Sequence, residues 1–259
     1  MPFDPGLAVR WCDTTQTFQY SEGVFGPAPE HRRLDAIRAS LHDPDCNGPD
    51  PVYSIVMDVG REEHSAELHC RMLLFGVVEY AAGRLGHEPV RSQGHVHAIS
   101  SHSGWSAPEL FEIWEGRAII YAQEHVSSNP GRCIAVSADV GDQVVVPPGW
   151  AHSVINADPN AKMIFAACCD RQYGFVYDDV RARGGLAWFP ILDDRNEIKW
   201  QPNPRYAASS LVLREARTYE ELGVRGSLPI YEQFARDPDS VQWVADPARF
   251  AHLWPSFEP

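Results

Sequence analysis

Between Val52 and about Ile191 the chain is written as short apolar runs separated by turn residues, and that pattern commits it to β structure. Eight runs recur: "VYSIVMDV", "MLLFGVVEYAA", "ELFEIWEG", "RAIIYAQE", "CIAVSADV", "DQVVVPP", "HSVINA" and "KMIFAAC". Their length and close spacing, with Gly, Pro and Asp between them, suit the strands of an antiparallel sandwich or barrel. The flanks read differently. Residues 1–50 are rich in Pro, Asp and Gly and hold one helix candidate, "EHRRLDAIRASLHD", in which Leu34, Ile37 and Leu41 fall at helical spacing. "DPDCNGPDP" then breaks the chain. The tail from about Asp193, with "SLPIYEQFARDPDSVQWVADPARFAHLW", reads as helix, strand and terminal helical turn laid on the outside of the β-body. No internal repeat or linker divides these zones. The expectation is one structural domain, with an arm over 1–50, a barrel over 51–191 and an extension over 192–259.

Charge narrows the partners. A net charge of −13 argues against nucleic acid, whose affinity rests on a basic surface. An anionic small molecule would need a local cation. Among 22 basic residues only Lys162 and Lys199 are lysines, so anion recognition falls to arginine or to backbone and hydroxyl donors. The N-terminal "MPFDPGLAVRWCDTT" shows no basic region followed by an apolar core, and no apolar run approaches the roughly 18 residues of a membrane span. A cytoplasmic protein without membrane partners is therefore expected. The six cysteines lack zinc-finger spacing and read as reduced thiols, with Cys168 and Cys169 buried in a strand.

Three segments carry chemistry. In "GHVH", His95 and His97 stand at i and i+2, so a strand would point both to one face, where imidazole nitrogens suit Zn, Fe, Ni or Mn. In "PELFEIWEG", alternation puts Glu109 on the side of Phe111 and Ile113. A carboxylate there needs a partner, whereas Glu112 and Glu115 read as solvent-facing. In "GDQVVVPPGWAHSVINA", a Pro-Pro-Gly turn delivers His152 to the head of the next strand, with Asn156 facing the same side. The remaining histidines sit in polar, helical or turn contexts. Only His102, inside the serine-rich stretch after His97, reads as a candidate substrate contact.

These residues resemble the cupins. Their first motif ends in a histidine pair, a glutamate, six residues and a glycine, matched by His95, His97, Glu109 and Gly116. Their second motif is matched at Gly141, Pro147, Gly149, His152 and Asn156. "GRLGHEPVRSQGHVH", "VPPGWAHSVIN", "YGFVYDDV" and "NPRY" further resemble segments of the archaeal-type, cupin glucose-6-phosphate isomerases. The resemblance implies an all-β, double-stranded β-helix (jelly-roll) barrel with an N-terminal arm and a C-terminal helical extension. It also implies one divalent ion per chain (Fe, Mn, Zn or Ni) on His95, His97, Glu109 and His152, and a homodimer.

The implied reaction is aldose–ketose isomerisation of glucose 6-phosphate and fructose 6-phosphate through an enediolate or a hydride shift, with Glu109, His95 and His152 catalytic. Ser92, Gln93, Gly94, Phe111, Tyr177 and His102 are the implied substrate contacts. The chain departs from the family at Val78, Gln93, Phe111 and Phe175, where threonine, lysine, tyrosine and histidine are usual. Those changes keep two other readings open, a related sugar or sugar-phosphate isomerase or epimerase and a cupin dioxygenase. Eleven residues, Ala98 to Pro108, separate the histidine pair from the glutamate where cupins usually have three or four, and read as an added loop at the barrel mouth.

Overall fold

A computed structural model describes residues 3–259. The arm contributes β1 (Val9–Cys12), β2 (Thr17–Tyr20), β3 (Val24–Phe25) and β4 (Glu30–Arg32). The body follows with β5 (Tyr53–Arg61), α1 (Ser65–Cys70), β6 (Leu73–Tyr80), β7 (Arg84–Leu85), β8 (Glu88–Pro89) and β9 (Val96–His97). It continues through β10 (Glu109–Glu115), β11 (Ala118–Gln123), β12 (Cys133–Ala138), β13 (Gln143–Val146), β14 (Ala151–Asn156), β15 (Met163–Asp170) and β16 (Phe175–Val176). Then come α2 (Asp178–Ala182), β17 (Trp188–Leu192), β18 (Ile198–Pro202), β19 (Leu211–Glu215) and α3 (Ile230–Arg236). All eight apolar runs are strands.

Two sheets face each other to form the barrel. The larger runs β13-β10-β15-β6-β5-β3, with β4 also on β5; the smaller runs β14-β11-β12-β19. Their inner faces meet in a core of Val78, Phe111, Ile113 and Phe165 from the larger sheet with Ile120, Ile134, Val136 and Val154 from the smaller. The outer face of the larger sheet is covered as well. Phe75, Val77, Leu110 and Cys168 pack there against Leu7 and Phe18 of the arm and Tyr231, Phe234 and Trp243 of the tail. Burial on both faces explains why β6 and β15 read as unbroken apolar runs rather than alternating ones. On the smaller sheet, Val180, Leu186 and Tyr206 close over Tyr121, Ala135 and Ile155.

Three expectations need correction. The helix candidate before the barrel is instead β4 followed by two 3₁₀ turns, Leu34–Ala36 and Arg38–Ser40. Leu34, Ile37 and Leu41 are buried as their spacing requires. Arg38 donates to the carbonyls of Pro44 and Cys46 and folds the segment back before a longer helix can form. In the tail, the stretch expected as a strand is a 3₁₀ helix, Pro238–Val244. The Asp237 carboxylate accepts the Asp239 N–H and Pro238 occupies the first turn, which favours helical entry.

The third correction is Glu112, expected in solvent and found fully buried. The tail passes over β10 at this point. The Glu112 carboxylate accepts from the Ile230 N–H and from Gln143 Nε2, each at 2.9 Å, and from Trp114 Nε1 at 3.0 Å. Glu115, at the strand end, is exposed.

Candidate metal centre

The residues from Val90 to His97 run antiparallel beside β14, on the edge away from β11. The His95 N–H donates to the His152 carbonyl at 3.1 Å and the His152 N–H to the His95 carbonyl at 2.9 Å. His97, two residues on, faces the same way. Gly149 makes the delivery of His152 possible. It sits at φ +78° in the turn closed by the Trp150 N–H on the Pro147 carbonyl, a left-handed conformation that suits glycine. Glu109 heads β10 in the opposite sheet and reaches the same point.

The ligand atoms of His95, His97, Glu109 and His152 lie within 4.8 Å of one another. His97 Nδ1 is 2.8 Å from the Ala107 carbonyl and His152 Nδ1 is 3.3 Å from the Trp150 carbonyl. A carbonyl only accepts, so each Nδ1 carries a hydrogen and each ring turns Nε2 toward the centre. Those two Nε2 atoms face Glu109 Oε2 at 3.2 and 3.0 Å. Each Nε2 can meet that buried carboxylate only through a shared proton or a cation, and a divalent ion can take the place of the protons. His95 Nε2 is buried without a hydrogen-bond partner, which leaves a third nitrogen available. Three imidazoles and one carboxylate converging in this way fit a divalent metal ion.

The electrostatics agree. Burial alone would raise the Glu109 pKa, but His152 and His97 hold it well below the usual carboxylate range. Burial, reinforced by the neighbouring His152 and His97 rings, pushes His95 well below the usual imidazole value and keeps it neutral. Burial opposes charge on His97 too, but Glu109 outweighs it and raises that pKa. The second carboxylate oxygen, Glu109 Oε1, accepts from the Cys169 thiol at 3.1 Å. Burial and the Glu109 charge push the Cys169 pKa far up, so the sulfur keeps its proton as a donor.

The centre opens into a cavity in the barrel. Its apolar wall includes Ile55, Met57, Val78, Phe111, Phe165 and Phe175; its polar groups beyond the ligands are Arg32, Tyr53, Tyr80, Ser92 and Tyr177. Of the substrate contacts expected from the sequence, Ser92, Phe111 and Tyr177 line this cavity. Gln93, Gly94 and His102 do not. Gln93 is buried on the other side of its strand, where its Oε1 accepts from Arg181 Nε at 2.9 Å. Gly94 stands at φ +85°, and a Cβ there would meet Leu186 at 2.8 Å, so packing accounts for the glycine. His102 lies exposed at the tip of the insert.

The insert itself is a closed loop. Ile99 bridges Ser106, Ser106 Oγ donates to the His97 carbonyl at 2.6 Å, and Ala107 supplies the carbonyl that orients the His97 ring. Its base therefore sets one ligand. Sequence reasoning missed Arg32, Tyr53 and Cys169. Alternation along β15 was a usable signal for Cys169, which follows Phe165 and Ala167 into the barrel. Arg32 had no such signal, because its segment reads as helix.

The family model described as glucose-6-phosphate isomerase (GPI) matches residues 35–207, more than half of the 259-residue chain. The chain belongs to that family. The putative glucose-6-phosphate isomerase 1 of Rhizobium meliloti (strain 1021) is 27% identical over 150 residues, 58% of this chain and 63% of that protein. The match thus spans less than two thirds of that relative. The glucose-6-phosphate isomerase of Thermococcus onnurineus (strain NA1) is 25% identical over 181 residues, 68% of this chain and 87% of that protein. Among solved structures, oxalate oxidase in complex with the substrate analogue glycolate aligns at a TM-score of 0.32 and 16% identity, over 41% of this chain and 46% of that one. Within this glucose-6-phosphate isomerase family chain, Val78, Phe111 and Phe175, three of the four positions where the sequence reading expects a departure from the family, all line the cavity and make its wall apolar.

Proposed function

We propose that this protein is a metal-dependent aldose–ketose isomerase that interconverts glucose 6-phosphate and fructose 6-phosphate. The observation that carries the reading is the convergence of three imidazoles and the Glu109 carboxylate at the head of a partly apolar cavity. A divalent ion held by His95, His97, Glu109 and His152 would supply Lewis-acid polarisation of the substrate's carbonyl and neighbouring hydroxyl. The residues do the rest. His97 and His152 keep Glu109 ionised at neutral pH, so its carboxylate can accept a proton from one substrate carbon and return it to the next. Cys169 fixes the carboxylate plane through Oε1. Phe175, edge-on to His95 at 4.5 Å between centroids, and Phe111 exclude water from the reacting carbons. The hydroxyls of Ser92 and Tyr177 are placed to meet substrate oxygens.

A coupled assay of the protein loaded with Fe, Mn, Zn or Ni, with and without chelator, tests the reading. Activity that requires a divalent ion is expected, and no activity with any of them overturns it. Running the reaction in deuterated water separates the two routes. Label entering the product marks proton transfer, and loss of that labelling in E109Q assigns the transfer to Glu109.

The same reading takes the protein as a cytoplasmic homodimer forming one domain per chain. Among the described residues no helix is long and apolar enough to cross a membrane, and all six cysteines are free. Val212 and Leu213 on the edge strand β19 are 42% and 63% exposed, an apolar edge for a second copy. Light scattering that gives a monomer mass at micromolar concentration would remove the dimer.

A further inference from the structure

Resting on the isomerase reading, we propose that Arg32 is the anchor for the substrate's phosphate, and that Glu30 is the group the phosphate displaces. Among the described residues lining the cavity, Arg32 alone is a lysine or arginine. It lies outside residues 35–207, the stretch that matches the family model. A dianion entering a protein of net charge −13 needs a local cation, and the usual lysine of the substrate turn is here Gln93, which faces away from the cavity.

The arginine is built into the wall rather than laid on the surface. Arg32 pairs with Tyr53 across β4 and β5, and its side chain is only 20% exposed. Its Nε is buried and has no hydrogen-bond partner. Nη2 is occupied by Glu30 Oε1 at 2.7 Å, two residues back on the same face of the strand, and the Glu30 side chain is 65% exposed. One guanidinium thus offers a free buried donor and a second donor held by a carboxylate that solvent can accept. A phosphate matches that fork bidentately, and Glu30 can leave into water at low cost. The hydroxyls of Tyr53, Ser92 and Tyr177 border the same cavity and can take the remaining phosphate oxygens. The apolar residues that line the cavity weaken screening and strengthen the pairing.

The test separates this subsite from the reaction. In the metal-loaded enzyme, R32Q is expected to raise KM for fructose 6-phosphate roughly 10- to 100-fold, with kcat within about threefold of wild type. E30Q is expected to lower KM. Calorimetry with sorbitol 6-phosphate and with sorbitol, neither of which can be isomerised, reads the subsite directly. R32Q should lose affinity for the phosphate ester and leave weak sorbitol binding unchanged. If the wild type has no isomerase activity but Arg32 still discriminates sorbitol 6-phosphate from sorbitol, the reaction assignment falls and the anion subsite stands. If R32Q binds sorbitol 6-phosphate as tightly as wild type, or wild type does not bind it, the proposal is overturned. Should R32Q fail to fold, E30Q carries the test at an exposed position, and unchanged affinity for the phosphate ester overturns it.

Discussion

Strand β10 holds two buried carboxylates three residues apart, and they have opposite fates. Glu109 faces the barrel interior, where imidazoles hold it ionised. Glu112 faces outward beneath the tail. Burial pushes its pKa up to about 7, against the pull of Gln143, the Ile230 N–H and Trp114. Burial is nearly equal at the two sites, so depth does not decide the role. What decides it is the partner: imidazole Nε2 atoms can exchange a proton for a metal ion, whereas amide and indole N–H donors ask only for an acceptor. Glu109 belongs to the cluster that can hold a metal ion, and Glu112 is the peg on which the tail hangs.

The largest effect should come from exchanging the inner carboxylate. E109Q keeps the shape but removes the charge that the four-ligand centre needs. Its kcat/KM should fall by about 10³-fold or more, with metal per chain falling in parallel by mass spectrometry. Activity within tenfold of wild type at full metal content would break the contrast. The outer carboxylate should behave in the reverse way. Glu112→Ala leaves the Ile230 N–H and Trp114 Nε1 without acceptors and should cost about 2–4 kcal/mol in denaturant unfolding. Its metal content and kcat/KM should stay near wild type below the transition.

The two carboxylates also predict opposite responses to pH. Glu112 has its folded-state pKa raised from 4.5 to about 7, so the folded protein binds the proton more tightly than the unfolded chain. Its contribution to stability is full below the unfolded value and is lost as pH climbs from about 4.5 to 7, a decline of up to roughly 3 kcal/mol. Glu79, also pushed up to about 7 by burial, adds a slope of the same sign. Glu109, with its pKa depressed, contributes the opposite slope, lost on acidification. Comparing wild type with E112Q at several pH values isolates the Glu112 part. The glutamine adds a constant offset, because its amide cannot satisfy the Trp114 N–H, but it carries no proton linkage. Identical slopes for the two proteins would remove Glu112 as a titrating group.

The same strand shows how far the sequence could be read. Period-2 alternation placed Glu109 with Phe111 and Ile113 inside the barrel, and motif spacing brought His95, His97 and His152 to it from other strands. Those are local regularities, visible one strand at a time. Alternation also put Glu112 outside the barrel, correctly, but equated outside with solvent. Only the path of the tail, some 118 residues later in the chain, buries it. Arg32 was hidden for a related reason. Helical spacing of Leu34, Ile37 and Leu41 described their burial and not the backbone that achieves it, so a residue on a short strand at the barrel's edge looked like one side of a helix. The long insert was read as a loop near the mouth. That its last residues orient His97 through Ala107 depends on a hydrogen bond that no spacing encodes.

The smallest effect expected concerns how Glu109 is held. Cys169 and Cys168 are neighbours on β15, yet only Cys169 turns inward, and its thiol donates to the carboxylate oxygen that the imidazoles leave free. If that bond orients Glu109, C169A should lower kcat roughly 3- to 10-fold, the worth of one neutral hydrogen bond, while metal content stays at wild-type level. C169S supplies a hydroxyl donor of similar size and should recover most of the loss. A serine variant as slow as the alanine one would mean that sulfur's bulk against Phe165 and Ala167 matters and its proton does not. A metal-depleted C169A would instead place the residue in the integrity of the ligand set. Recovery by serine alone, with metal unchanged throughout, would show that the inner carboxylate differs from Glu112 in being aimed as well as charged.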